Sequence, residues 1–175
     1  MKKIVILGPE STGKSILSIS LCKHYHGFHV REYAREYLKS MPNQYLEEDL
    51  LQIAKGQILL EDKEEQKCRD NENSIIIYDT DLTVIKIWSE YKYGRCDPWI
   101  LEQVQNRKYD LYLLTNPDLN WQPDPMRENP KDRSKIFELY LNDLESRNLD
   151  YRVISGIGEE RTTRAIKAVN SIFQK

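Results

Sequence analysis

The chain lacks several features that would each point to a class of function. It has no surplus of either charge: 26 Lys and Arg stand against 28 Asp and Glu, a formal net charge of -2 over 175 residues. A dedicated nucleic-acid or acidic-membrane surface needs a basic excess, so neither partner is expected. No apolar run approaches the ~20 residues of a membrane-spanning helix. Met1 to Leu7 resembles a signal peptide only superficially, because its apolar part, Ile4 to Leu7, is too short. Cysteine is scarce: Cys22, Cys68 and Cys96 are far apart, odd in number and free of any CxxC. A reducing, cytosolic setting accounts for this most simply. His24, His26 and His29 cluster, but they straddle a helix end, a glycine and a strand, and no Cys or carboxylate spacing completes a metal set. There is no repeat, low-complexity segment or linker. The length predicts a single domain over residues 1–175 that buries roughly 70% of its unfolded surface. Nothing in the sequence sets the oligomeric state.

What is present begins at once. Ile4-Val5-Ile6-Leu7 runs into Gly8-Pro9-Glu10-Ser11-Thr12-Gly13-Lys14-Ser15, which fills the GxxxxGK[ST] pattern. Gly8 lets the chain leave the strand sharply, and Gly13 allows close approach. Backbone N–H groups of the loop, with Glu10, Ser11 and Thr12 in its middle, can wrap a phosphate. Lys14 can reach the β- and γ-phosphates, and Ser15 can offer its hydroxyl to Mg²⁺. The following helix, about 14 to 25, points its positive end at the same anion. ATP and Mg²⁺ are therefore the expected cofactors.

Apolar strands alternate with helices through the rest of the chain. Strands are expected at about 3–7, 28–30, 74–78, 109–114 and 151–154, with helices between them and a long one over 47–68. The charged tail of that helix, Glu61 to Arg69, reads as solvated. Met41-Pro42-Asn43 and Asn71-Glu72-Asn73 read as breaks. Residues 91–97 read as irregular, and Pro98 opens a short helix. The alternation predicts an α/β fold, a parallel sheet covered on both faces, with ligands beyond the carboxyl ends of the strands.

Those ends carry the candidate residues. Asp79 follows the buried strand 74–78, where a phosphate-loop protein needs a carboxylate to hold Mg²⁺ or its waters. Asp81 is either a base or clamp on an acceptor hydroxyl or the N-cap of the next helix. Arg31 and Glu32 follow strand two. They read either as a surface ion pair with Arg35 and Glu36 or as substrate contacts, and position favours Arg31 and Glu32. Residues 115–133 form a lid whose stretch 115–130 holds four prolines, which rule out a long helix or central strand. Arg127 and Arg133 there can stabilise charge on a transferring phosphoryl group. Trp121 packs a core edge or stacks on a flat ligand, and Asp124 can pair with a hydroxyl or a cationic ring. Asn129 is expected to cap the next helix, with Pro130 at its first position.

Two common alternatives lack their marks. A GTP switch carries NKxD, whereas Thr115-Asn116-Pro117-Asp118 has no lysine; DxxG after strand three is also missing, since position 82 is Leu. A motor ATPase needs further helical domains. A small-molecule kinase needs this loop, an acceptor pocket near strands two and three, and a lid.

The chain resembles the ribosylnicotinamide kinase domain of the bacterial NadR proteins, within a wider group of small AAA-type P-loop domains. The resemblance rests on Gly8 to Ser15, on Arg31-Glu32-Tyr33-Ala34-Arg35, on Asp79-Thr80-Asp81 and on Trp121 to Arg127. It implies a sheet order of 2-3-1-4-5, as in nucleotide monophosphate kinases, and transfer of phosphate from ATP to the 5′-hydroxyl of nicotinamide riboside. It also implies that Glu10 to Ser15 hold the ATP phosphates, Asp79 orients or deprotonates the ribose hydroxyl, Trp121 stacks on the pyridinium ring, Asp124 sits near its charge or the ribose, and Arg127 is the lid arginine. No HxGH adenylyltransferase motif occurs, so adenylyl transfer is not expected of these residues. Read without the resemblance, the residues leave open another nucleoside or nucleotide kinase, or an ATP-gated interaction module.

Overall fold

The computed structural model describes residues 1–39, 41, 45–69 and 74–173. The expected breaks at Pro42-Asn43 and Asn71 to Asn73 lie outside these residues. Strands β1 (Lys2–Leu7), β2 (Phe28–Val30), β3 (Ile75–Asp79), β4 (Leu111–Thr115) and β5 (Tyr151–Ile154) alternate with helices α1 (Lys14–Tyr25), α2 (Tyr33–Lys39), α3 (Glu47–Cys68), α4 (Leu82–Tyr93), α5 (Pro98–Asn106), α6 (Arg133–Ser146) and α7 (Glu159–Asn170). The five strands form one sheet in the order β2-β3-β1-β4-β5, parallel throughout, as the resemblance implies.

The central strand shows why the fold closes this way. Side chains alternate across a strand, and β1 is apolar on both faces. Ile4 and Ile6 pack with Leu17 and Leu21 of α1 and Ala165 and Val169 of α7. Val5 and Leu7 face the other way, against Ile87 of α4 and Ile136, Tyr140 and Leu144 of α6. A third cluster joins α2 to α5 through Ala34, Leu50, Ile53, Leu82, Ile85 and Ile100. Among the described residues, no helix is long and apolar enough to cross a membrane.

Two boundaries and the burial of one side chain differ from expectation. Helix α4 runs through Tyr91 to Tyr93 and ends only at Gly94, whose positive φ of 69° lets its N–H reach Glu90 O at 3.0 Å. Helix α6 starts at Arg133, not beside Asn129 and Pro130. The Asn129 N–H is committed to the Glu10 carboxylate, which holds this stretch against the phosphate loop instead. Glu61, at the head of the charged tail of α3, is fully buried rather than solvated. It pairs with Arg107 Nε at 2.8 Å and accepts from the Tyr109 hydroxyl at 2.8 Å. Burial raises its carboxyl to about 7, against the opposing pull of Arg107.

Gly56 marks the tightest helix contact in the third cluster. A Cβ there would lie 2.0 Å from the Tyr33 ring. Ala in a helix interior gains about 1 kcal/mol over Gly, but overpacking costs about 1–3 kcal/mol. In urea denaturation Gly56→Ala should lose about 1 kcal/mol net, and the same change in a Tyr33→Ala background should be neutral or stabilising. A stabilised single variant would contradict the contact.

Candidate active site

The turn after β1 is shaped by an absence. Gly8 has φ +140°, and a Cβ on it would lie 2.2 Å from Thr115 Oγ1. Without one, the Thr115 hydroxyl donates to Leu7 O at 2.9 Å and lies 2.7 Å from Thr12 Oγ1. Thr12 donates to Pro9 O at 2.8 Å. Ser11 at φ 56° and Gly13 at φ 78° complete the curl into α1, whose first turn carries no acidic residue. The result is a ring of backbone N–H groups at a helix N-terminus, suited to an anion. Lys14 Nζ sits inside it, 2.8 Å from Gly8 O and 2.9 Å from Pro9 O.

Parallel pairing places Asp79 beside this turn, because Ile6 is its register partner. Asp79 is 4% exposed, its carboxylate hydrogen-bonds the Ser15 hydroxyl, and its Oδ1 is buried with no partner. Burial raises its pKa against the pull of that bond and of Lys14. Glu32, delivered by the end of β2, pairs with Arg35 Nε at 3.0 Å across the start of α2. Burial raises the Glu32 carboxyl, Lys14 opposes that rise, and Asp79 adds to it. Burial also lowers the Lys14 ammonium, with Glu32, Asp79 and Glu10 pushing back. Two cations and two carboxylates thus share one poorly hydrated spot, where electrostatics is strong.

Two cavities meet there. The larger, about 450 Å³, runs along the phosphate loop past Asp118 and Leu119 to Ile157, Gly158 and Arg161. The smaller, about 90 Å³, is walled by Trp88, Tyr91, Met126 and Tyr140. Ser11, Lys14, Glu32, Arg35 and Arg127 line both.

The segment expected as a lid, 115–133, is tied to the phosphate loop beside this junction. The Gln122 N–H donates to Ser11 Oγ at 2.9 Å, and the Asn129 N–H to Glu10 Oε2 at 2.9 Å. Arg127 lies between these anchors and donates to Ser11 Oγ at 3.5 Å and to Gln122 O, and its Nε is buried without a partner. Asp124 accepts from the Met126 N–H at 2.9 Å and lies 3.5 Å from Arg35. That N–H first, then Arg35 and Arg127, hold its carboxyl below the usual range.

Six sequence-derived candidates line neither cavity: Asp79, Asp124, Arg31, Trp121, Arg133 and Asp81. Arg31 is exposed and lines neither, whereas Arg35, in the first turn of α2, lines both. The signal that could have ranked Arg35 higher is its i,i+3 spacing from Glu32, which precedes the helix and pairs with it. Trp121 lines neither cavity, and its ring lies 5.9 Å from the Arg133 guanidinium. Arg133 Nη1 donates to Leu119 O at 2.8 Å and to Ser11 O at 3.4 Å, which braces the segment expected as a lid. Asp81 is the α4 N-cap: Oδ1 accepts from the Thr83 N–H at 2.9 Å, and it is 3% exposed. Arg161 was missed altogether. It is 4% exposed and ties Thr12 O, Asn116 O, Gly156 O and Asp118 together.

The Asp81 assignment is measurable. Burial raises its carboxyl from 3.8 to about 6. Between those values the folded chain holds the proton more tightly than the unfolded one, so the buried carboxylate costs stability as pH rises through that window. Asn keeps the capping oxygen and removes the charge. In urea denaturation, wild-type stability relative to Asp81→Asn should fall from about pH 4 to about pH 6 and then level off, with nucleotide binding retained. A gap that does not change with pH would contradict the cost assigned to burying this carboxylate, and lost nucleotide binding in Asp81→Asn would contradict a purely capping role.

Known proteins match this arrangement. The AAA domain family model matches residues 3–161. The trifunctional NAD biosynthesis/regulator protein NadR of Escherichia coli (strain K12) is 24% identical over 182 aligned positions, covering 99% of this chain and 43% of that protein. A crystal structure of NadR protein in complex with NR superposes with a TM-score of 0.83 at 21% identity, over 98% of this chain and 51% of the other. Deoxyadenosine kinase from M. mycoides superposes with a TM-score of 0.64 at 14% identity, over 97% and 99% of the two chains. The chain therefore spans about half the length of the NadR proteins it matches. With residues 3–161 matched and the phosphate loop in its strand–loop–helix setting, the chain belongs to the AAA domain family.

Proposed function

We propose that this chain is an ATP-dependent kinase that phosphorylates the 5′-hydroxyl of a riboside, nicotinamide riboside first among them. The observation that carries the reading is the junction: Lys14, Glu32, Arg35 and Arg127 line both cavities. A phosphoryl group bound there touches donor and acceptor at once, which is the requirement of direct transfer.

The larger cavity suits a nucleoside triphosphate, with phosphates on the loop and base toward Ile157. Lys14 would neutralise the outer phosphates, and Arg127 the oxygens of the group in flight. Mg²⁺ fits the Ser15 hydroxyl and the unpartnered Asp79 Oδ1, one hard oxygen pair with phosphate and water left to complete the shell. When bound there it would screen charge between the phosphates. Glu32 lies at the junction and lines the acceptor cavity as well as the other, and burial that raises its pKa suits it to take the hydroxyl proton as the oxygen attacks phosphorus and ADP leaves. Asp79 is then the metal-side carboxylate.

The smaller cavity supplies the acceptor contacts. Trp88, Tyr91 and Tyr140 offer flat apolar walls to a ring, and aromatic faces favour a cationic one. These three, rather than Trp121, are the stacking candidates. The structure of NadR with NR supports the choice of acceptor, and the fold shared with deoxyadenosine kinase keeps other nucleosides on the test panel. Residues 1–175 act as one kinase unit with 115–133 as its lid. Three free cysteines support a reducing, cytosolic setting.

ADP release with ATP and Mg²⁺ against a panel of ribosides and nucleotides tests the proposal. Nicotinamide riboside should stimulate turnover, and Lys14→Ala should abolish it. Glu32→Gln should lower kcat roughly 100-fold and leave the KM for ATP nearly unchanged. ATP binding without stimulation by any acceptor would sink the kinase reading.

A further inference from the structure

Glu10 is out of character with its surroundings. It is a carboxylate in the middle of a loop built to bind anions. Its two oxygens lie 3.2 and 3.1 Å from the Glu128 N–H, and Oε2 lies 2.9 Å from the Asn129 N–H. The lid that it grips has little backbone hydrogen bonding of its own to offer. Pro123, Pro125 and Pro130 carry no N–H, and among the described contacts the lid has one internal backbone bond of the turn type, from the Arg127 N–H to Asp124 O. An ionised acceptor receiving two backbone N–H groups is a strong tether for such a segment.

The neighbouring residue holds the other end. Ser11 sits at φ 56°, a left-handed conformation that costs a non-glycine residue energy and is kept where the surroundings demand it. Its hydroxyl takes the Gln122 N–H, and its carbonyl takes Arg133. Arg127 is strung between the two anchored points and lines both cavities.

We infer that Glu10 is a positioning residue: its carboxylate latches the lid to the phosphate loop and thereby sets Arg127 at the junction of the two cavities. The inference rests on the kinase reading of that junction for its effect on rate, but the latch itself does not. Donor binding and lid placement then share one short segment, residues 10 and 11, so the loop that holds the phosphates also holds the arginine that meets them.

Hydrogen–deuterium exchange of the peptide containing Glu128 and Asn129, together with steady-state kinetics, tests this. In Glu10→Ala those amides should exchange roughly tenfold faster or more, with global unfolding unchanged. The kcat should fall while the KM for ATP moves little. Adding Arg127→Ala to Glu10→Ala should then cost far less than it does in wild type, because an unlatched Arg127 has little left to lose. Glu10→Gln keeps one carbonyl acceptor and should recover part of both the protection and the rate. Unchanged exchange in Glu10→Ala would overturn the latch, and so would fully additive losses with Arg127→Ala. If no acceptor stimulates turnover, the exchange result still decides the latch.

Discussion

The contact between Gly8 and Thr115 is the constraint on which the site depends. No side chain fits between β1 and the end of β4, so the Thr115 hydroxyl reaches Leu7 O and meets Thr12. That pins the first and middle parts of the phosphate loop to the sheet. Once the loop is fixed, its curl brings Lys14 back over its own carbonyls, and parallel register sets Asp79 alongside. Arg161 adds a second pin by binding Thr12 O from the far side. Rigid placement matters because transfer of a phosphoryl group depends on positioning more than on covalent chemistry.

Around that fixed loop, charge is balanced rather than accumulated. Lys14 and Arg35 face Glu32 and Asp79, with Asp124 and Arg127 beyond them. Any one of these buried alone would be costly. Together they form a mixed patch in which a doubly charged phosphoryl group can compete for the cations, while a carboxylate is left free to meet a hydroxyl. The apolar wall of Trp88, Tyr91 and Tyr140 limits water in the smaller cavity, the proposed acceptor side.

Much of this is legible in the chain itself. Gly8 to Ser15 carries its own chemistry, and the short apolar runs of β1 and β3 read as strands of the type buried on both faces. Sheet order is not a local property, and only the resemblance supplied it. Local reading fails where a side chain's partner is distant. Glu61 looks solvated beside its charged neighbours, yet Arg107 and Tyr109 come from another part of the chain to satisfy it. Asn129 and Pro130 look like a helix start, yet Glu10 claims the Asn129 N–H across the fold. Arg31 and Arg35 cannot be ranked until the direction of α2 is known. Asp81 could be read both ways, and burial beside Thr83 settles it as a cap.

The central claim is that one phosphoryl group can touch both cavities at Lys14. A bisubstrate compound tests it most directly: adenosine joined through a polyphosphate bridge to the 5′-oxygen of nicotinamide riboside. The account predicts competitive inhibition against ATP and against the riboside alike, with tighter binding than either substrate alone. Competition with ATP but not with the riboside would place the acceptor elsewhere and contradict the account.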